Sequence, residues 1–506
     1  MPHSRYTNHL DTLIAAIAGH FAVYLFTKYS GIGISPDSIM YVSTAESIFK
    51  HGNLITFNGT PMVFFPVFYP AFLSTVFIFC SNVVAAGPVI NGLLFAAVIF
   101  LSGWMVSKFQ SPSRVYKLLM LAAIVLSPAL LEIYTYLWSE TLFVLTTLIF
   151  IWAFRQYLLK HNIKTLLIAA LAAAICCLTR YAGVTVIVTG GLLILLDNRL
   201  IIRKKITHIL LFGVAGISLL VINLIVNAAS TGYATGTRKP SVTPFSENLY
   251  YFATVLCNWL GLTEQAYPYG KALAVVILLT IIIWLIWHTL KSKLNSYETV
   301  FTAFAIVYSL FILIIATVSR FEQISSRLLS PLFIPLLIAC TCWVPGVLKR
   351  INIKNRIWMA VPAVVLMLGF LYNILLIDLK RYDDEFDYGV PGYTDDDWNK
   401  SDFVVFLQIH KDIYKPGVPI YSDADEAVYF FSGMKAKLLP QRYFKSDVAK
   451  FYSEKHFYIV WFKALAHPEL IGLDDIEKVR KLKKLYELED GAVYEASPRP
   501  SPKERE

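Results

Sequence analysis

The stretch MVFFPVFYPAFLSTVFIFC at residues 62–80 decides how this chain is arranged in a membrane. It is apolar over nearly the roughly 20 residues that a helix needs to cross a bilayer. Pro66 and Pro70 lie inside it and Pro61 precedes it, and a proline in a helix interior removes a hydrogen bond and kinks the helix. Whether this stretch crosses the membrane determines which side every later loop faces.

The rest of the chain is strongly apolar as well. Of its 506 residues, 56% are hydrophobic and 16% are charged, and the mean hydropathy is +0.57. A soluble globular chain is about half apolar and a quarter charged. The net charge of +10 comes from Lys and Arg clusters between apolar runs, which is typical of cytoplasmic loops. The composition therefore indicates a multi-span membrane protein and does not indicate a nucleic-acid partner.

Charge distribution resolves the role of residues 62–80. If this stretch does not cross and the N-terminus is cytoplasmic, nearly all basic clusters, such as those at 199–205 and 349–356, lie inside, as the positive-inside rule requires. If it crosses, they all face outward. We therefore predict a juxtamembrane or re-entrant element at 62–80 on the outer face, and a mainly α fold with about 11 transmembrane helices. These are predicted at 10–28, 86–107, 115–131, 139–159, 164–178, 181–197, 206–228, 271–290, 299–318, 328–346 and 356–378.

The composition changes near residue 380. We predict a transmembrane domain at 1–380, with its first outer loop at 30–85, and an extracytoplasmic α/β domain at 381–506 that ends in a disordered tail, SPRPSPKERE. Strands are predicted at PIYSD, AVYFFSG, FYIVWF and AVYEA, and helices at KSDVAKFYSEK and DDIEKVRKLKKLY. The six cysteines show no metal-ligand spacing. We predict no metal site.

The first outer loop carries an acid in the stretch ISPDSIMYVSTAESIF. Ser35 can cap a helix and Pro36 suits its first position, so Asp37 falls in the first turn, where the helix dipole favours a negative charge. Tyr41 shares a face with Asp37 because the two are four residues apart. Asp37 is a candidate site residue, and the simpler interpretation is that it only helps to start the helix.

Polar residues in three other outward-facing stretches are also candidates. FFPVFYPAFL at 64–73 contains Tyr69 and indicates either an interfacial anchor or a substrate groove. Glu140 opens a span in YLWSETLFVL, where Ser139 is a candidate cap. Arg180 interrupts an apolar stretch in CCLTRYAGVTVI. A charge at such a place is paired, extends to the membrane surface or is functional.

The last candidate stretch is SRFEQISSRLLSPLFIPLL at 319–337. Arg320 and Arg327 lie beside the entrance of a span, and an arginine fork suits a phosphate group. Pairing with Glu322 or contact with lipid headgroups would also explain these arginines. Together, an acid and several arginines on one outer face suit a lipid-linked anionic substrate, with its tail in the bilayer and its phosphate on the arginines.

These stretches, in this order, resemble the C-type (GT-C) integral-membrane glycosyltransferases. The similarity is to bacterial relatives of protein O-mannosyltransferases and of the lipid A aminoarabinose transferase. It rests on SPDSIMYVSTAESIFKHGNL, FFPVFYPAFL, WSETLF, LTRYAG, SRLLSPLFIPLL and IYSDADEAVYFFSGMKAKLLP. The resemblance implies an active site at the outer face of the cytoplasmic membrane of a bacterial cell, and a polyprenyl-phosphate-sugar donor.

The resemblance assigns the catalytic base to Asp37. Family members often have a second acid beside this one, and here the neighbour is Ser38. The implied reaction transfers a sugar with inversion to an acceptor hydroxyl, and Tyr41, Tyr69, Glu140, Arg180, Arg320 and Arg327 are the candidate substrate-binding residues. No cofactor is predicted, although some members of the superfamily use a divalent cation.

Two other functions remain open from the sequence. A transporter or flippase for a lipid-linked sugar would also have many spans, but transporters often show internal repeats, and none stands out here. A membrane scaffold that presents the outer domain would leave Asp37, Arg180 and Arg327 without a role. The sequence does not identify the sugar, the oligomeric state, the role of the C-terminal domain, or whether the acceptor is a lipid, a glycan or a protein.

Overall fold

The computed structural model describes residues 7–498 apart from residues 237, 263, 292, 321, 352 and 466. The chain is mainly helical and divides into two compact units. The first comprises Met1–Ile32 and Pro61–Asp387, and the second comprises Gly33–Thr60 and Tyr388–Glu506. Most of the tail predicted to be disordered lies outside the described residues.

The helices are named here in chain order. They are α1 (Thr7–Thr27), α2 (Pro36–His51), α3 (Phe68–Val76), α4 (Val83–Val106), α5 (Arg114–Val125), α6 (Pro128–Tyr134), α7 (Ser139–Lys160), α8 (Ile163–Thr179), α9 (Val184–Leu196), α10 (Ile202–Thr231), α11 (Phe245–Trp259), α12 (Tyr267–Leu290), α13 (Tyr297–Val318), α14 (Ser326–Thr341), α15 (Val344–Arg350), α16 (Ile353–Tyr388), α17 (Asp396–Asn399), α18 (Asp402–Ile409), α19 (Asp425–Ser432), α20 (Lys445–Ser453) and α21 (Leu473–Val479).

Within the described residues, eight helices are long and apolar enough to cross a membrane. They are His9–Thr27, Val83–Val106, Ser139–Lys160, Ile202–Thr231, Glu264–Leu290, Tyr297–Val318, Ser326–Arg350 and Trp358–Tyr388. The pair α5 and α6 passes the same test together but is bent by 48°, and α8 and the segment Tyr181–Leu196 are shorter apolar helices. Each predicted span corresponds to one of these segments, which confirms the mainly α, multi-pass fold.

The stretch 62–80 forms only the short helix α3, nine residues long. At a rise of about 1.5 Å per residue, such a helix extends roughly 14 Å, less than half the thickness of a bilayer core. Tyr69 and Leu73 of α3 are buried inside the first unit. The stretch therefore packs on the bundle and is not a membrane-spanning helix.

The second unit contains a five-stranded mixed sheet. Its strands are β1 (Ile420–Ser422), β2 (Lys437–Leu438), β3 (Phe457–Phe462), β4 (Arg480–Glu487) and β5 (Gly491–Pro498). The sheet order is β2-β1-β3-β5-β4, in which β1 pairs in parallel with β2 and β3, and β5 pairs antiparallel with β3 and β4. The predicted α/β character of this region is confirmed.

Two predictions within this region are wrong. AVYFFSG, predicted as a strand, lies mostly in α19, because Asp425 and Glu426 occupy the first turn and Gly433 ends the helix with φ 72°. DDIEKVRKLKKLY, predicted as one helix, is helical only to Val479 and continues as the edge strand β4. A short apolar run does not distinguish strand from helix, and pairing with β5 decides the second case.

Residues 33–60 belong to the second unit through direct contacts. The backbone N–H of Tyr393 donates to the carbonyl of Ile34 at 2.8 Å. The ring of Phe57 stacks on that of Tyr429 with a centroid distance of 4.9 Å. The segment that contains α2 therefore packs with the C-terminal part of the chain, although about 360 residues separate Ile34 from Tyr393 in sequence.

Candidate functional site

A buried carboxylate joins two arginines at one end of the helical bundle. Glu140 lies in the first turn of α7 and has 0% of its side chain exposed. Its Oε2 is 2.6 Å from Nη1 of Arg180, and its Oε1 is 2.7 Å from Nε of Arg327. We call these three residues the Glu140 cluster. With both arginines charged, one carboxylate leaves the cluster with a net charge of +1.

The N-terminal turn of α7 differs from the prediction. Ser139 is the first residue of the helix, and the residue before it, Trp138, makes no side-chain cap. The Ser139 hydroxyl instead accepts a hydrogen bond from Nη1 of Arg180 at 2.9 Å. Glu140 sits where the helix dipole favours an anion, and Ser139 helps to hold one of its two arginines.

Arg180 reaches Glu140 from the turn between α8 and α9. A 3₁₀ turn at Tyr181–Gly183 follows it directly. A Cβ atom at Gly183 would lie 2.4 Å from the backbone carbonyl of Cys176, so only glycine allows the turn to pack this closely on α8. The Tyr181 hydroxyl also donates to the carbonyl of Val63 at 3.0 Å. The turn that carries Arg180 is therefore fixed on both sides.

Aromatic side chains support Arg327 at the start of α14. Its guanidinium lies 4.0 Å from the centroid of the Trp138 ring, and Trp138 stacks on Tyr136 at 4.0 Å with an interplanar angle of 7°. The neighbouring Ser326 hydroxyl accepts a hydrogen bond from Nε1 of Trp259 at 3.1 Å. A guanidinium stacked on an aromatic plane keeps its edge available for hydrogen bonds to other groups.

A second group of charged residues lies beside the Glu140 cluster. Nε of Arg381 is 2.6 Å from Oε1 of Glu385, and its Nη2 donates to Thr135 Oγ1 at 2.5 Å. Glu132 interacts electrostatically with Arg381, with Arg327 and with Glu140, and forms a side-chain hydrogen bond with Ser326. Glu132 thus connects the end of α16 with the start of α14.

Asp378 completes this second group. Its side chain is 4% exposed, and within the described residues neither carboxylate oxygen has a hydrogen-bond partner. Its charged neighbours are Arg381 and Glu385, which lie one and two turns further along α16. An unpartnered carboxyl group in a buried place is costly. It is therefore a candidate for contact with a substrate.

Tyr69 belongs to the same region of the first unit. Its side chain is 1% exposed, and Thr141 and Glu140 both lie close enough to influence its hydroxyl electrostatically. Burial is the main cause that raises the pKa of this hydroxyl well above its ordinary value. Tyr69 is therefore placed to support the first turn of α7.

Arg320 occupies a different element. Its backbone N–H donates to the carbonyl of Lys239 at 2.8 Å, next to an antiparallel bridge between Pro240 and Ser319. These contacts attach the end of α13 to the segment before α11. Of the predicted substrate-binding residues, the structure brings together Glu140, Arg180, Arg327 and Tyr69.

Asp37 and Tyr41 lie in the second unit, on α2. Ser35 caps this helix, Pro36 is its first residue, and Asp37 lies in the first turn with its side chain partly exposed. Ser35 and Ser38 form a capping box, in which the backbone N–H of Ser35 donates to Ser38 Oγ at 3.1 Å. Tyr41 is fully buried. The predicted cap and helix start are confirmed.

Solved structures provide the comparison that decides the fold. No protein-family model and no curated protein matches this chain. ArnT from Cupriavidus metallidurans in the apo state matches with a TM-score of 0.57 and 12% identity, over 95% of this chain and 97% of ArnT. ArnT bound to undecaprenyl phosphate matches with a TM-score of 0.52 and 12% identity, over 96% and 97% of the two chains. This chain has the C-type glycosyltransferase fold.

A third structure extends the C-type comparison to an archaeal enzyme. The oligosaccharyltransferase AglB from Archaeoglobus fulgidus, in complex with an inhibitory peptide and a dolichol-phosphate, matches with a TM-score of 0.51 and 10% identity. The match covers 90% of this chain and 69% of AglB. At these identities the likeness establishes the fold, and the chemistry of the site has to be argued from the residues of this chain.

Several charged residues of this C-type fold were missed from the sequence, namely Glu132, Asp378, Arg381 and Glu385. A signal was present for two of them. Glu132 is the one acid in the apolar run PALLEIY, and Asp378 is the first acid that follows the long apolar run of α16. An ionisable residue within a membrane segment is a functional candidate by default. Within the described residues, no three His, Cys, Asp or Glu side chains form a metal-binding group.

Proposed function

We propose that this chain transfers a sugar from a polyprenyl-phosphate-sugar donor to an acceptor hydroxyl, at the outer face of the cytoplasmic membrane. The observation that carries the proposal is the Glu140 cluster, in which two guanidiniums converge on one buried carboxylate within a C-type fold. Such a site suits a substrate that bears a phosphate. Two of the structural neighbours are described with undecaprenyl phosphate or a dolichol-phosphate bound.

Arg327 and Arg180 are the proposed phosphate ligands. Arg327 uses Nε toward Glu140 and is stacked on Trp138, so its fork is oriented before a substrate arrives. During transfer, negative charge grows on the phosphate oxygen that leaves the anomeric carbon. Preoriented guanidiniums stabilise this charge more strongly than they stabilise the intact donor.

Glu140 is proposed as a positioning residue. Its side chain is 0% exposed and both of its oxygens bind arginines. It therefore already has a structural role, which is to hold the two guanidiniums. Removing one partner of a buried ion pair leaves an uncompensated charge, which is strongly destabilising. Tyr69, which is buried beside the first turn of α7, is proposed to have a similar structural role.

Asp37 is the proposed general base. The acceptor oxygen attacks the anomeric carbon while its proton passes to the Asp37 carboxylate, and the bond between the anomeric carbon and the phosphate oxygen breaks. The electron pair leaves with the polyprenyl phosphate, so the anomeric configuration inverts. Asp37 lies in the first turn of a capped helix and is partly exposed, which suits a group that must meet an incoming hydroxyl. The proposal assigns no step to a metal ion.

The test is release of polyprenyl phosphate from a labelled donor by the purified protein. The assay includes a membrane extract as the source of acceptor. We expect Asp37→Asn to reduce release by about 100-fold or more, the usual contribution of a general base. Glu46→Gln is the matched control, because Glu46 is a carboxylate of the same helix that pairs with Lys50 on its surface.

The outcomes separate transfer from transport. Release that requires both the extract and Asp37 supports the proposal. Normal release by Asp37→Asn would remove Asp37 from the mechanism. Movement of the donor across reconstituted vesicles, without release for any sugar tested, would identify a flippase.

A further inference from the structure

The opposite end of the helical bundle carries a second pair of cations. Nζ of Lys108, just after α4, lies 3.3 Å from the centroid of the Trp104 ring. The guanidinium of Arg155, near the end of α7, lies 4.3 Å from the centroid of the Tyr297 ring. The two rings themselves meet edge to face at 6.1 Å. Lys108 and Arg155 are thus each held against one of two aromatic rings, and these two rings contact each other.

The two cations repel each other. Burial lowers the pKa of Lys108, and the positive charge of Arg155 lowers it further. Within the described chain, no carboxylate lies at ion-pair distance from either of them, and Nε of Arg155 is buried without a hydrogen-bond partner. Lys108 is exposed and Arg155 is half-buried, so an anion from outside can reach both cations, and its charge would relieve the repulsion between them.

A nearby acid is used to fix the loop. Oε1 of Glu298, in the first turn of α13, accepts a hydrogen bond from the backbone N–H of Gln110 at 2.7 Å. This bond anchors the segment that follows Lys108. The charge of Glu298 attracts Arg155, but one carboxylate against two cations still leaves a positive site.

The location of the pair is where lipid headgroups lie. Arg155 follows Glu140 by 15 residues on α7, so the two are separated by about 22 Å along the helix axis. Trp152 and Phe100, each about one turn before a member of the group, expose 37% and 39% of their surfaces. Exposed aromatic rings at the ends of membrane helices are typical of the membrane–water interface.

We propose that Lys108 and Arg155 bind the phosphate of an anionic phospholipid from the bilayer, at the membrane face opposite the Glu140 cluster. The lipid phosphate would accept hydrogen bonds from the Arg155 fork and from the Lys108 ammonium, while Trp104 and Tyr297 hold both groups in place. Its acyl chains would lie along the exposed apolar faces of α4 and α7. Basic pockets between membrane helices commonly select anionic headgroups in this way.

Native mass spectrometry of the full chain in detergent tests this site. Phosphatidylglycerol and phosphatidylcholine are titrated against the wild type and the double variant Lys108→Gln/Arg155→Gln. We expect the wild type to bind one phosphatidylglycerol at least about tenfold more tightly than the variant does, because hydrogen bonds to charged groups are strong. Lys160→Gln is the control, since Lys160 is an exposed cation at the end of the same helix.

Thermal unfolding of the same proteins distinguishes a loss of lipid binding from a loss of folding. Phosphatidylglycerol should raise the melting temperature of the wild type and of Lys160→Gln but not that of the double variant, whose lipid-free melting temperature stays near that of the wild type. Equal lipid retention by all three proteins would overturn the proposal. Displacement of the lipid by millimolar inorganic phosphate would overturn the lipid assignment in favour of a soluble anion.

Transfer activity in lipid-free detergent should be unchanged in the double variant, which separates this site from the proposed function.

Discussion

At the scale of single residues, the decisive feature is how Arg327 is held. Its Nε bonds to Glu140 and its plane stacks on Trp138, and both contacts depend on the planar guanidinium. A lysine would supply the charge but neither the fork nor the stacking surface. Geometry therefore matters at this position as well as charge.

We predict that Arg327→Lys lowers the rate of sugar transfer by about 10- to 100-fold, which is less than the roughly 100- to 1,000-fold loss seen when an oriented donor is removed altogether, because lysine keeps the charge. The assay is release of polyprenyl phosphate at saturating donor. Arg203→Lys, on an exposed position at the start of α10, makes the same chemical change and should be silent. Full activity of Arg327→Lys would show that the guanidinium geometry has no catalytic value.

The residues of the Glu140 cluster could be identified from the sequence only as separate candidates. Glu140 and Arg327 are 187 positions apart, and a sequence pattern does not state which charge meets which. From the sequence alone, Glu322 is also a possible partner of Arg327. Burial of Glu140, and with it the choice of partner, depends on how α7, α8 and α14 pack.

At the scale of elements, Ser35 caps the N-terminus of helix α2 and so determines where the helix begins. The capping box between Ser35 and Ser38 satisfies backbone groups in the turn that carries Asp37. Ser38, the neighbour of Asp37, is therefore occupied with capping. Loss of the cap should fray the first turn and displace the Asp37 carboxylate.

We predict that Ser35→Ala reduces the turnover rate more than it changes the Michaelis constant for the donor, with about 1 kcal/mol lost from the helix start. Ser35→Asp keeps an oxygen that can cap the helix and should restore most of the rate. The measurement is steady-state release of polyprenyl phosphate. A rate equally low in Ser35→Asp would argue that the cap does not position Asp37.

The connection between β1 and α19 contains buried acids with a consequence for pH. Burial raises the pKa of Asp423 to about 7, although the backbone N–H of Phe462 donates to this carboxylate. Burial and the adjacent Glu426 also raise the pKa of Asp425. In the unfolded chain both acids ionise near pH 4. The folded unit therefore holds protons that the unfolded chain has lost, and its stability falls as pH rises from about 4 to about 7.

We predict that the second unit loses up to about 3 kcal/mol of stability between pH 5 and pH 7 through Asp423, because each unit of pKa difference corresponds to about 1.4 kcal/mol. Hydrogen exchange of the β3 amides in the full chain, corrected for intrinsic exchange, measures this. Asp423→Asn should flatten the dependence, whereas Asp412→Asn, in the 3₁₀ turn at Lys411–Ile413, should leave it unchanged. A wild-type profile that rises with pH would contradict the assignment.

At the scale of the whole molecule, the membrane segments were the most predictable part. Span length and apolar composition are local properties, so each predicted segment has a helix in the structure. The pairing of residues 33–60 with the C-terminal region was not predictable in this way, because it depends on contacts such as Tyr393 with Ile34 and Phe57 with Tyr429. The two wrong predictions, a strand at residues 427–433 and a helix through residues 480–487, have the same origin. Packing and strand pairing, rather than local sequence, determine the conformation of both segments.

The predicted sidedness can be tested directly. The charge distribution predicts that the tail lies on the outer side of the membrane and the start of α10 on the cytoplasmic side. We expect a membrane-impermeant maleimide to label Lys411→Cys but not Lys205→Cys in right-side-out vesicles, with both labelled after permeabilisation. Lys411 is exposed and Lys205 is partly exposed in the structure. Labelling of Lys205→Cys alone in intact vesicles would reverse the topology and move the proposed reaction to the other face.

The separation of Glu140 from its two arginines also has a consequence for biogenesis. Ribosomes deliver the chain from the N-terminus, so α7 enters the membrane with its carboxylate well before α14 exists. Arg180 follows within about two helices and can neutralise the carboxylate early, whereas Arg327 arrives only after several further spans. We therefore expect the hairpin of α7 and α8 to form first and the insertion of α14 to complete the Glu140 cluster. A nascent chain that stops before Arg327 would present an unfinished ionic site to the quality-control machinery of the membrane.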